Sequence, residues 1–266
     1  MSVETENSKK VWPLLANFFK NKTFKMPGFK DFKEKRIKNA LLPDENEVTD
    51  GPYVFPFPKE YKVQHVALEA YLALYQSIMD LADYQHYFRR FPFKEKDISK
   101  HDYIRVTCEN YLSSFYVIKE RFRNYLNKMK EAACISNKSA GLIIKNFEKR
   151  FNHEIKQRHS KHHREDFTSE NIKRLSMLRL FAPSWEKATE FLDREHSLEF
   201  RRYMREWHDK VVLRSQHLSE YLDIASQILI APTSFIHQEN GFECKGMVHV
   251  EISKKTNDSI SDSLKK

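Results

Sequence analysis

The densest run of chemically capable side chains in this sequence is Asn152-His153-Glu154-Ile155-Lys156-Gln157-Arg158-His159-Ser160-Lys161-His162-His163-Arg164-Glu165-Asp166, which holds four of the 12 histidines. Three chemistries fit it. The first is a metal site, because on a continuous helix His159 and His163 share a face like the two histidines of an HExxH zinc site. Ser160 stands where that pattern has its glutamate, and Lys156, Arg158, Lys161 and Arg164 surround the pair with charge that opposes a divalent ion. No metal and no other cofactor is expected. The second is a solvated helix end whose cations complement the negative end of the helix dipole. The third is metal-free phosphate chemistry. Cleaving RNA beside a 2′-OH takes a base for the hydroxyl, a cation for the phosphate and an acid for the leaving oxygen. Histidine suits the proton transfers because its pKa lies near the working pH. Arginine suits the phosphate because its planar fork donates two parallel hydrogen bonds and keeps its charge. Arg158 and His163 bring both groups into one short segment.

Their spacing sets a condition. Five residues of unbroken helix turn through about 500°, so Arg158 and His163 point about 140° apart, whereas His162 shares a face with Arg158. Arg158 and His163 converge where the helix ends or distorts inside the motif, or where two copies of the chain meet.

The elements that must hold this block are helical by composition and pattern. The chain has 266 residues, 40% of them apolar or aromatic, which is enough for a sizeable core. Only 5 glycines are present, too few for the tight turns of a β-sandwich. Ala67, Tyr71, Leu74, Ile78 and Leu81 recur at 4-3-4-3 spacing on a helix over about 59–90, ended by Arg89-Arg90-Phe91-Pro92-Phe93. Ile104, Cys108, Tyr111, Phe115, Ile118 and Phe122 form a cleaner stripe on a second helix, with Ser99 or Asp97 as its N-cap. A third helix spans about 138–157 with Leu142, Ile143, Phe147 and Phe151 inward. Ser169 caps a short helix that Pro183 closes. Helical texture then runs to about Ile230 through Phe191, Met204, Trp207, Val211, Leu218, Leu222, Ala225 and Leu229, with a division expected near Arg194-Ser197.

Three regions follow: an irregular arm over 1–58, a helical bundle over 59–231, and a tail over 232–266. The arm holds six of the nine prolines and interleaves Phe18, Phe19, Phe24, Phe29 and Phe32 with lysines. It suits packing across the helical body, binding a partner or touching a nucleic-acid backbone. In the tail, residues 242–251 alternate like a short extended segment, and 254–266 have a disordered composition.

Arg158-His159-Ser160-Lys161-His162-His163, placed after the third of several amphipathic helices, resembles the signature of the HEPN superfamily. There an arginine is followed by a polar residue and, four to six residues on, by a histidine. The resemblance implies an all-α, up-and-down helical bundle that forms a homodimer with two motifs facing one cleft. It also implies a metal-independent endoribonuclease of toxin–antitoxin or phage-defence type, with RNA as substrate and an antitoxin or other protein as partner. By position, Arg158 would hold the scissile phosphate and His163 would move the proton. His159, His162, Lys161 and Arg164 would contact the RNA. Glu109, at the edge of the second-helix stripe, would fix the Arg158 side chain. Relatives governed by a nucleotidyltransferase antitoxin carry a tyrosine two residues past the histidine, where this chain has Glu165. Other relatives are non-catalytic, and the same bundle suits a module that binds a nucleotide, RNA or a protein.

The remaining sequence narrows these options. Arg201, Arg202, Arg205, His208, Arg214 and His217 could track a phosphate backbone, although Glu195, Glu199, Glu206 and Asp209 sit at neutralising distances. No P-loop, dinucleotide fingerprint or serine-hydrolase elbow is present, and the Glu-x-x-His pairs of a di-metal bundle are missing. The net charge of +9 favours encounter with polyanions. No run approaches the ~18–20 apolar residues of a membrane span, so no membrane is expected as partner. Residues 1–10 lack the order of a signal peptide. Cys108, Cys134 and Cys244 lie far apart with no ligand spacing, so a cytoplasmic location is expected.

Overall fold

A computed structural model describes residues 3–41, 55–93, 98–163, 170–181, 189–232 and 234–237. These residues form helices and no β-strand, in the order α1 (Glu6–Phe18), a π-helical turn (Phe19–Thr23), α2 (Phe29–Leu41), α3 (Lys59–Ala82), α4 (Tyr84–Tyr87), α5 (Lys100–Glu131), α6 (Asn137–Arg150), α7 (Asn152–His163), α8 (Glu170–Phe181), α9 (Thr189–Ile230) and a 3₁₀ turn (Phe235–His237). The all-α bundle follows from the stripes: every residue of the α3 and α5 series named above is buried. Buried hydroxyls tie the three long helices together. Tyr71 of α3 bonds Ser226 of α9 at 2.8 Å, and Tyr125 of α5 donates to the Ala225 carbonyl at 2.7 Å. Each hydroxyl thereby keeps a partner inside an apolar core. Among the described residues no helix is long and apolar enough to cross a membrane.

Local signals fix the helix ends. Ser99 caps α5 by accepting from the Asp102 amide at 3.0 Å, and Ser136 caps α6 by accepting from the Ser139 amide at 3.1 Å. The C-terminus of α5 closes with Ala133 at φ 56°, where the Cys134 amide donates to the Met129 carbonyl and the Ala133 amide to the Lys130 carbonyl. That is a Schellman arrangement with alanine where glycine is usual.

The described residues of the N-terminal arm are largely helical, not irregular. Thr5 and Ser8 form a reciprocal capping box, and Val11, Leu15 and Phe18 at helical spacing enter the same core as the bundle. Of its described prolines, Pro27, Pro56 and Pro58 stand between helices. Pro13 alone lies inside α1, where burial of its neighbours outweighs one lost backbone bond. Asn7 donates to Asp223 at 3.0 Å and Trp12 packs edge-on to Tyr75, so α1 is docked on α9 and α3.

Other boundaries also differ from expectation. The third helix is two, α6 and α7, separated at Phe151, whose backbone leaves the helical region. The division near Arg194-Ser197 is absent, and α9 runs 42 residues unbroken. Leu142, expected inside, is exposed, as is Phe191 near the start of α9. At the tail, Phe235 and Ile236 turn in 3₁₀ form into the core. Ser169, Pro183, the extended segment over 242–251 and the tail beyond it lie outside the described residues.

Candidate nucleic-acid interface

The histidine block forms the C-terminal half of α7, whose backbone stays helical to His163. The helix therefore does not end between Arg158 and His163, and the two positions stand about 140° apart around one axis. Arg158 lies with its guanidinium 3.7 Å from the centre of the Tyr116 ring on α5, a close cation–π contact. Its Nε is buried without a hydrogen-bond partner. Glu109 pairs with Arg105, one turn away at 3.3 Å. Tyr116 lies two turns, or about 10 Å, further along α5 than Glu109, and its ring braces Arg158. The side chains of His159, Lys161, His162 and His163, and the whole of Arg164, lie outside the described residues.

The first turns of α7 hold what the pattern did not disclose. Glu154, one acid in a polar run, is fully buried against α5 and α9. Its Oε1 accepts from Arg214 Nε at 2.7 Å, while its Oε2 and the Tyr111 hydroxyl are buried without partners. Burial lowers the Lys210 pKa, Glu154 opposes that shift, and Lys210 Nζ sits 4.5 Å from the Trp207 ring centre. Burial also pushes the Cys108 thiol well up, so it stays protonated and inert. Beside this network Arg150 grips Glu220 through two bonds, at 2.6 and 3.0 Å. His217, bonded to Arg214 at 3.4 Å, has its pKa lowered to about 4, by burial first and then by Arg150 and Arg214. His153 is lowered too, by burial and then Lys210.

A pH dependence of stability follows. The folded His217 pKa lies below the unfolded value of about 6.5, so the unfolded chain binds the extra proton between about pH 6.5 and 4. Stability is full above that window and is lost as pH falls through it. For a half-buried ring the loss is about 1–2 kcal/mol once solvent screening is allowed for. Urea midpoints at pH 7 and 4.5 should separate for the wild type and draw together for His217→Gln. An unchanged separation in the variant would remove His217 as the cause.

The cationic cluster with room for a ligand lies elsewhere, in a groove of about 700 Å³ between α9, the end of α4 and the start of α5. Ser197, Arg201, Met204, Arg205 and His208 recur at three- and four-residue spacing, so one face of α9 forms a wall. Arg89, Arg90 and Phe91 follow the end of α4, and Lys100 opens α5. Phe88, Phe91, Phe200 and Met204 make the apolar floor, with Phe88 stacked on Trp207 at 5.5 Å. Lys100 Nζ donates to Ser197 Oγ at 3.3 Å and lies 5.7 Å from the Phe200 ring centre, bridging the walls.

Among the described residues no carboxylate lines this groove. Two of the α9 acids that seemed able to neutralise it, Glu199 and Glu206, pair outside it. Glu199 pairs with Arg202 at 2.7 Å and with Arg174 of α8 at 3.4 Å, and Glu206 also takes Arg202. Arg201 is held by the Ser197 carbonyl at 3.2 Å. Among the described residues no carboxylate pairs with Arg89, Arg90 or Arg205, and only His208 has an acid beside it, Asp209 at 3.1 Å. No protein-family model, curated protein or solved structure matches this chain. Among the described residues, fold and groove together define a helical protein with a cationic cleft over an aromatic floor.

Proposed function

We propose that this protein is a helical nucleic-acid-binding module whose groove between α9 and the α4–α5 connection holds single-stranded RNA. The observation that carries the reading is the convergence of Arg89, Arg90, Lys100, Arg201, Arg205 and His208 on one cleft that no carboxylate among the described residues lines. Arginine forks match phosphate oxygens, and phosphates held by them release counterions. The half-buried Phe91 offers a ring against which a base can stack, a contact that tolerates any sequence. The net charge of +9 steers a polyanion toward the protein. Fluorescence anisotropy of a labelled single-stranded oligonucleotide, titrated at several salt concentrations, tests this. Binding that weakens steeply with salt and depends on Arg89 and Arg205 supports the reading, and binding indifferent to both overturns it.

The second reading is the metal-independent endoribonuclease, with Arg158 and His163 as phosphate holder and proton carrier. What favours it is Arg158 itself, fixed over Tyr116 with an unbonded Nε. The unbroken course of α7 requires the histidine partner to be His162 or to come from a second copy. The same RNA incubated in EDTA distinguishes the readings. Products with 2′,3′-cyclic phosphate ends that disappear in Arg158→Ala establish cleavage, and intact RNA leaves binding alone.

A further inference from the structure

A second groove, of about 640 Å³, has the opposite character. Asp80 and Asp83 at the end of α3, and Asp102 on the first turn of α5, supply carboxylates, and among the described residues neither lysine nor arginine lines it. Tyr84 and Tyr87 of α4, with Tyr103 of α5 and Phe93, line it with rings, and Ile98 and Val106 expose aliphatic surface. The Tyr103 hydroxyl donates to the Tyr87 carbonyl at 2.8 Å, which fixes one wall to the other. Asp80 is held by Gln76 and Asp102 lies near Arg105, whereas Asp83 has no cation among the described residues. A site so built takes positive charge carried on an apolar stem.

The chain carries such an element and leaves it largely uncovered. Helix α2 rests on the body through Phe29 and Phe32, which pack with Phe24, Phe55 and Phe57. Beyond them Lys33 to Lys38 are all exposed, with Ile37 at 49% and Leu41 at 74% of full exposure. Ile37 and Leu41, four apart, lie on one face, and Arg36 and Lys38 flank it. No acid among the described residues pairs with Arg36 or Lys38.

We infer that the acidic groove receives α2 of a second copy of this chain. Ile37 and Leu41 cover Phe93, Ile98 and Val106, while Arg36 and Lys38 approach Asp80 and Asp83. Because each chain carries both surfaces, two copies can exchange helices reciprocally, which doubles the contact and closes the assembly. One helix face is small beside a standard interface of about 1,600 Å², so the dimer is weak and its affinity falls with salt.

Sedimentation of the nuclease-treated full-length protein tests the inference. At about 50 mM salt a concentration-dependent dimer is expected, weakening at least tenfold at about 500 mM. Asp80→Lys/Asp83→Lys, which reverses the groove, and Arg36→Glu/Lys38→Glu, which reverses the helix, should each be monomeric. All four positions are outside the core, and circular dichroism of each variant checks its fold. Mixing the two variants one to one should restore association, because each then offers the surface the other needs. A wild type that stays monomeric at low salt overturns the inference. So does a dimer that either reversal leaves intact, or a mixture of two folded variants that fails to associate.

Discussion

Arg89→Glu combined with Arg205→Glu is expected to lower affinity for single-stranded RNA by at least 100-fold at about 100 mM salt. Each arginine offers a charged hydrogen bond to phosphate worth about 1.5–3 kcal/mol, and a glutamate in its place repels the same phosphate. Two such changes remove at least about 3 kcal/mol, or more than 100-fold. The dependence of log affinity on log salt should flatten by about 1.4, since each lost phosphate contact on a single strand removes about 0.7. Neither side chain has an ionic partner among the described residues, so folding stability should hold. Arg202→Glu is the control. It stands on the same helix and changes net charge as Arg205→Glu does, but it is already paired with Glu199 and Glu206 outside the groove. If Arg202→Glu weakens binding as much as Arg205→Glu, overall charge binds the RNA and the groove does not.

The largest expected effect on stability belongs to Glu154. Removing its carboxylate, as in Glu154→Ala, should cost about 3–5 kcal/mol, read as a lowered denaturant midpoint at unchanged slope. The carboxylate neutralises Arg214 at 2.7 Å and acts electrostatically on the buried Lys210. Without it two largely buried cations, Arg214 and Lys210, are left to repel each other. The pair is not thereby a net stabiliser, because both ions were desolvated to form it. Glu154→Leu together with Arg214→Met, which fills the space with apolar atoms, should therefore recover most of the loss. A loss below about 1 kcal/mol in Glu154→Ala would mean that Arg214 turns out to water and that the pair does not brace α7 on α9.

These two sites differ in how far the sequence discloses them. The bundle and its inner faces are legible because burial imposes a 3.6-residue period on each helix separately. Ile104 to Phe122 on α5 and Ala67 to Leu81 on α3 announce themselves without reference to anything else. Caps are equally local, and Ser99 is recognisable from its position alone. The exclusion of nucleotide loops and hydrolase elbows, and the cationic balance of the chain, are likewise properties of the string.

Charge pairing is not. By spacing, Glu199 and Glu206 each reach Arg202 and Asp209 reaches Arg205, but spacing says nothing of partners on other helices. Packing of α8 beside α9 gives Glu199 to Arg174 and Arg202, and that choice leaves Arg201 and Arg205 to the groove. Arg89, Arg90 and Lys100 join them only because the α4–α5 connection folds back beside α9. Glu154 reads as one acid among many in a polar run, and becomes a buried anchor because α7 restarts after Phe151 with its first turn against α5 and α9. The N-terminal arm shows the same limit, since its prolines mark breaks locally while the burial of Val11, Leu15 and Phe18 depends on the core they find. The sequence determined the helices, their inner faces and the sign of the charge, because periodicity and composition act over a few residues. Which charges remain free to meet a ligand was decided by tertiary structure alone, because each depends on partners tens of residues away.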